Sequence, residues 1–270
     1  MFRRVLTAVL ILAVGVVLLL VAWPQLLGLQ RETGVAQVAS MRGLLTALAV
    51  LVAVLLALAA FLSTTLRQVA GAIALLLVVF AGIQLAVLST RGAGDGAFES
   101  KEGGDVTVLS WNTLGEAVPV ETLATLVVEQ DADVVVLPET TRAYGEAVAA
   151  AVASSGYDFQ VLDLLYDDIS KARSTVLLIS TELGAYVRDD SRGGTETLPS
   201  VVAVPADGTG PVIVGAHPVA PVPGEMPGWR QGLQWLAARC GGEDVILAGD
   251  LNSTLDHYTG IDQASGESGG

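Results

Sequence analysis

Three apolar runs near the start constrain this 270-residue chain more than any other feature. Val5–Ala22 has 18 residues, Leu44–Leu62 has 19 and Val69–Leu88 has 20, and none contains a charged side chain. The third is interrupted only by Gln84. A helix rising about 1.5 Å per residue crosses a hydrocarbon core of about 30 Å in about 20 residues. Helices of soluble proteins keep a polar face, and these runs have none. Residues 1–90 therefore read as a membrane anchor with three transmembrane helices, about 5–22, 44–62 and 69–88. The first run is not a cleaved leader. Trp23-Pro24-Gln25-Leu26 after it lacks a small-x-small site, and two more spans follow. Trp23 suits the membrane interface. The absence of charge inside the spans argues against an ion or proton path.

Arg3, Arg4 and Arg67 fall on one side of the three spans, and Arg31 and Arg42, partly offset by Glu32, on the other. The tally places the N-terminus in the cytoplasm and the rest of the chain, after an odd number of spans, outside the cell. Residues 91–104, rich in Gly, read as a linker. Residues 105–270 then form a domain outside the cytoplasm, tethered to the lipid bilayer by the anchor.

Charge is unevenly divided. The chain holds 28 acidic and 14 basic residues; residues 1–90 take five Arg and one Glu, leaving 27 acidic and 9 basic beyond them, a net of −18. Such a domain repels long polyanions unless metal ions or a local basic patch intervene. The single Cys240 excludes an intrachain disulfide and a multi-cysteine metal site.

Within residues 105–270 short apolar strands alternate with amphipathic helices. Strands are expected at Val106–Leu109, Asp133–Leu137, Ser174–Ile179, Val201–Val204, Val212–Ala216 and Val245–Ala248. Helices are expected from Pro119, over Thr141–Ser155 and over Trp229–Cys240. Four strands end in a residue able to bind a metal or a phosphate: Asn112, Glu139, His217, and the pair Asp250 and Asn252 in Gly249-Asp250-Leu251-Asn252. An acid and an amide two residues apart suit a hard cation and a phosphate oxygen. The same residues also make ordinary Asx turns, and one such ending alone means little. Asp256-His257 reads as loop, and Arg142 as a solvated side chain.

Four pieces carry a resemblance: Ser110-Trp111-Asn112, Leu137-Pro138-Glu139, Gly215-Ala216-His217-Pro218 and Gly249-Asp250-Leu251-Asn252. In order and spacing they resemble the endonuclease/exonuclease/phosphatase (DNase I-like) superfamily over residues 105–257, and the three-span start is similar to that of membrane-anchored actinobacterial members. The resemblance implies an α+β fold, a four-layer α/β/β/α sandwich behind a three-helix transmembrane anchor. It implies a phosphoesterase using Mg2+, or Mn2+ in its place. Glu139 and Asn112 would bind the metal, Asp250 would position or deprotonate water, Asn252 would hold a phosphate oxygen, and His217 would contact the scissile phosphate. The phosphoester substrate would be a nucleic acid, a lipid headgroup or a small phosphodiester. The family domain ends in a further Asp-His on a later strand, whereas here the chain ends at Gly270 without one. The expectation is a C-terminally truncated domain with impaired catalysis, or a non-catalytic membrane module carrying a pseudo-site.

Overall fold

The computed structural model describes residues 2–91, 101–240 and 244–261. Most of the expected linker, and the tail beyond 261, lie outside them. The chain divides into two compact units. Among the described residues, one comprises those up to Arg91 together with Thr254–Thr259; the other comprises those from Lys101 to Ser253 and the two after Thr259.

The first unit is helical. Its elements are α1 (Phe2–Ala22), a short α2 (Val35–Ala39), α3 (Arg42–Leu62) and α4 (Arg67–Thr90). Helices α1, α3 and α4 are long and apolar enough to cross a membrane. Each begins two or three residues before the expected run, because Arg42 and Arg67 serve as first-turn residues. Helices α3 and α4 pack closely because their facing stripes are small. Ala49, Ala53 and Ala60 of α3 and Ala70, Ala74 and Ala81 of α4 are all buried. Small side chains let helix backbones approach, which favours dispersion contacts where water supplies no driving force. Large side chains point outward instead: Leu12, Val17, Leu51, Val54, Leu75 and Val78 are exposed. A stripe of this size left in water would be a liability.

The second unit holds two sheets. Strands β1 (Val108–Ser110), β2 (Val134–Pro138), β3 (Phe159–Leu165) and β4 (Ser174–Ser180) form the first in the order β1-β2-β4-β3. Strands β5 (Tyr186–Arg188), β6 (Val201–Pro205), β7 (Val212–Ala216) and β8 (Val245–Gly249) form the second in the order β5-β6-β7-β8. Within the sheets β1/β2 and β7/β8 are parallel and the other neighbours antiparallel. Helices α5 (Val120–Glu129), α6 (Arg142–Ala153) and α7 (Met226–Arg239) complete the unit.

The continuous apolar runs follow from burial on both faces. Along β2, Val134 and Val136 face the second sheet, meeting Val201, Ala203 and Ile213. Val135 and Leu137 face outward onto Leu123 and Val127 of α5 and Val148 and Val152 of α6. Across the second sheet, Val202, Val212 and Val214 pack with Trp235 of α7. The result is the expected four-layer α/β/β/α order.

Two expectations need correcting. Strands β3 and β5 were not anticipated from the sequence, since Asp163 and Arg188 break their apolar patterns; β3 pairs with β4 along its whole length. Asp256-His257 is not loop. It lies in α8 (Leu255–Tyr258), and both side chains are buried in the helical unit.

Candidate phosphoesterase site

The sandwich brings the polar strand ends together through its registers. In the first sheet Ser110 pairs with Val136 in parallel, so β1 and β2 leave the sheet side by side and deliver Asn112 and Glu139. In the second, Ala216 pairs with Gly249, and the next residues are His217 and Asp250. Parallel neighbours end at the same edge, which is why residues far apart in sequence converge.

Asn112 joins the two sheets. Its Nδ2 donates to Glu139 Oε1 at 3.0 Å and to Asp250 Oδ2 at 3.0 Å. Its Oδ1 accepts from the Leu114 backbone N–H at 2.9 Å. The amide thus turns its nitrogen, not its oxygen, toward the acids and orients the carboxylates. Asp250 Oδ1 accepts from the Asn252 backbone N–H at 3.1 Å, an Asx turn. The turn and the functional readings of this loop are therefore one arrangement. Asn252 Nδ2 donates to the Pro218 carbonyl at 3.0 Å, and its own carbonyl accepts from Trp229 Nε1 at 3.0 Å.

His217 sits beneath the carboxylates with 1% of its surface exposed. Its Nε2 is 3.9 Å from Glu139 Oε1, and its backbone N–H donates to Ser200 Oγ at 2.8 Å. Its Nδ1 has no hydrogen-bond partner among the described residues. Burial lowers its pKa below the ordinary histidine value, against the opposing pull of Asp250 and Glu139. The imidazole is thus neutral at physiological pH.

Backbone conformation concentrates here as well. Of the five described non-glycine residues with positive φ, four lie in these loops: Leu114 (51°), Glu116 (65°), Glu139 (57°) and Asn252 (44°). Each such residue costs about 1–3 kcal/mol unless its surroundings over-determine it. For Glu139 the surroundings are two threonines. Thr113 Oγ1 donates to the Glu139 carbonyl at 3.0 Å and lies 2.9 Å from Thr140 Oγ1. Glu116 accepts from the N–H and the Oγ1 of Thr141 and pairs with Lys171 at 2.6 Å. Burial pushes the Glu116 pKa up, but the Lys171 and Thr141 hydrogen bonds outweigh it and the carboxyl is held low. None of these supports was anticipated. Thr113 and Thr140 neighbour the motif residues and could have been suspected; Glu116 carries no sequence signal. Arg142 points elsewhere, pairing with Glu146 and Asp163.

The profile of the Endonuclease/Exonuclease/phosphatase family matches residues 109–268. The chain belongs to that family. No curated protein sequence matches it. Similar solved structures include a humanized TDP2 from D. rerio carrying 14 mutations, 16% identical with a TM-score of 0.44, covering 58% of this chain and 66% of that one. D. rerio TDP2 complexed with a single-strand DNA product is 16% identical with a TM-score of 0.43 and covers 58% and 64%. TDP2 from C. elegans is 16% identical with a TM-score of 0.40 and covers 76% and 66%. The chain thus spans just under two thirds of the length of these proteins.

Membership gives the site its chemical frame. Glu139 and Asp250 are two carboxylates tied to one amide, and among the described residues no Lys or Arg pairs with either. Close like charges of this kind fit a divalent cation, and Mg2+ in particular takes few protein carboxylates and keeps its waters. A group of three or more His, Cys, Asp or Glu side chains able to hold a metal is not found among the described residues. The fit is therefore to a hydrated cation on one or two carboxylates, not to a closed protein cage.

Proposed function

We propose that this chain is a membrane-anchored, divalent-metal-dependent phosphoesterase. The observation that carries the proposal is the bridge from Asn112 to both Glu139 and Asp250, which joins the two sheets of an Endonuclease/Exonuclease/phosphatase domain at one edge.

Glu139 would hold Mg2+ or Mn2+, whose contribution is to offset negative charge on the phosphoester oxygens. Asn112 would act by orienting both acids, in place of the direct ligand role implied by the family resemblance. Asp250 would accept a proton from water as the water oxygen bonds to phosphorus and the P–O bond to the leaving group breaks in line, the departing oxygen taking a proton from solvent water. Asn252, with one amide N–H held by Pro218, has its second free to reach a phosphate oxygen. Neutral His217 would hydrogen-bond a phosphate oxygen through Nε2. The substrate class favoured by the −18 balance is a small or lipid-borne phosphoester over long duplex nucleic acid. The three apolar helices support insertion in a bilayer, and Arg3, Arg4 and Arg67 support a cytoplasmic N-terminus with the hydrolytic domain outside.

Hydrolysis of bis-p-nitrophenyl phosphate by the full chain, with and without Mg2+ or Mn2+, tests the reading. The expected result is metal-dependent turnover reduced at least about 100-fold by Glu139→Gln and by Asp250→Asn. Metal-independent turnover, or none by the folded wild type with either ion, would overturn it and favour a non-catalytic module.

A further inference from the structure

The two-sheet unit carries an apolar feature that the phosphoesterase reading leaves unused. Eight large hydrophobic side chains of its described residues are exposed, and six of them stand at one edge: Trp111, Leu114, Leu165, Tyr166, Ile169 and Val222. That edge is the one that holds the candidate site. Strands β1 and β2 end there, and Leu165, the last residue of β3, pairs with Ser174, the first of β4, at the same end of the first sheet. In the second sheet β7 and β8 end there, and Val222 lies just past His217. Single exposed apolar side chains scattered over a surface are ordinary. Six gathered around one polar centre, with only Val108 and Val187 elsewhere, are not scatter.

Two of the six are held outward by hydrogen bonds. Ile169 is 95% exposed and Leu114 76%. Asp167 Oδ1 accepts from the backbone N–H groups of Ile169 at 3.0 Å and Ser170 at 2.9 Å, and Asp167 Oδ2 pairs with Arg173 at 3.0 Å. The turn so fixed leaves the Ile169 side chain in solvent. Leu114 has a positive φ of 51°, and its N–H donates to Asn112 Oδ1 at 2.9 Å. A leucine in that region is strained and persists where its surroundings impose it. Built turns therefore present these side chains, and the cost of ordering them falls on folding rather than on binding.

Their arrangement selects the partner. They stand on separate loops with polar residues such as Asp167 and Lys171 among them, whereas a protein interface is built round a contiguous apolar centre. A lipid interface accepts separate apolar groups to a depth of about 5–10 Å. The same chain carries three helices long and apolar enough to cross a membrane, so a lipid surface is the partner it meets wherever they insert. The loop at Ile169 is electrically balanced, Asp167 and Asp168 against Lys171 and Arg173, which suits zwitterionic headgroups.

We propose that this apolar rim is a lipid-contacting surface, seated in the headgroup region of a zwitterionic bilayer, and that the phosphoester reaching the site is lipid-borne. The lipid contact stands on the rim alone; the substrate class rests on the phosphoesterase reading.

Lipid quenching of fluorescence in the full chain tests the contact. A polarity-sensitive fluorophore is placed through Ile169→Cys or, as the control, Val187→Cys, each in a Cys240→Ser background, and the chain is reconstituted in phosphatidylcholine nanodiscs. The probe at 169 is expected to emit bluer than the probe at 187 and to lose emission when doxyl-labelled phosphatidylcholine is included; the probe at 187 keeps its emission. Quenching at 187 as strong as at 169, or none at either, would overturn the proposal. So would a blue-shifted probe at 169 that the doxyl lipid leaves bright, the sign of a protein cover.

Turnover tests the substrate class. The probe lipid is phosphatidyl-p-nitrophenol, from which water adding to phosphorus releases p-nitrophenol. With Mg2+, Ile169→Asp should slow its hydrolysis in the discs about tenfold and leave that of soluble bis-p-nitrophenyl phosphate unchanged. An equal loss on both substrates, no loss on the lipid, or a wild type that cleaves only the soluble ester would overturn the lipid-borne substrate. A folded wild type that cleaves neither would remove the phosphoesterase reading, and quenching would still decide the rim.

Discussion

At the scale of single residues, Gly249 is the least replaceable position of the site. A Cβ built on it would lie 2.0 Å from the Ala216 carbonyl oxygen, a backbone atom that cannot move without breaking the β7/β8 ladder. Gly249→Ala should therefore destabilise the sandwich by about 3 kcal/mol or more, measured by denaturant unfolding, and lower turnover in whatever fraction remains folded. Asn112→Ala leaves two acids without their shared donor. Its expected signature is a weaker requirement-side affinity, with about 10–100-fold more Mg2+ needed for half-maximal activity, read from a metal titration of turnover. The residues of the site were readable because each ends an apolar strand: Asn112, Glu139, His217, Asp250 and Asn252 all stand at such ends. Asp256 was not. Its meaning depends on Arg42, 214 positions earlier, and no local pattern encodes a partner at that distance.

At the scale of elements, strands with unbroken apolar runs were readable from sequence, and β3 and β5, which carry a charged residue, were not. Strand β2 is buried along its whole length, whereas β3 is only half-buried and carries Asp163 and Gln160 on it. Helix α8 is too short for a periodicity to reveal and owes its order to the groups around it. It also carries a pH dependence. Burial lowers the His257 pKa below its ordinary 6.5, and its Nδ1 must stay unprotonated to accept from Thr254. The unfolded chain then binds the extra proton first, so stability is full above about pH 7 and falls as the pH drops through about 6.5. Asp256 works in the opposite range. Burial would raise its pKa, but the hydrogen bonds from Arg42 and Arg91 hold it well below the usual carboxylate range, so its contribution persists down to strongly acidic pH. Protection of residues 254–259, corrected for intrinsic exchange, should thus weaken in wild type as the pH falls below about 6.5. The same residues in His257→Gln should show no such weakening.

At the scale of the whole molecule, the apolar third and the acidic remainder were plain from sequence because composition alone separates them. The return of the chain to the helical unit at Thr254 was not, since nothing in a polar hexapeptide announces its destination. If the helices insert, the chain should stay in the membrane pellet after an alkaline carbonate wash. The single cysteine then reports orientation. Cys240 is exposed, so a membrane-impermeant maleimide should label it in intact cells if the two-sheet unit lies outside, and only after lysis if it lies inside.

The parallel register at the site edge has a consequence for how such a chain can vary. Because His217 and Asp250 are each the first residue past a paired position, they are indexed by counting along β7 and β8 from Ala216 and Gly249. Lengthening the loops outside these strands leaves the count intact. Deleting one residue inside either strand shifts every later side chain to the opposite face and sends an acid or an imidazole into the apolar interior. Insertions and deletions should accordingly be tolerated in blocks, with sharp intolerance at Val212–Ala216 and Val245–Gly249, a pattern that a codon-deletion scan would display as two narrow gaps.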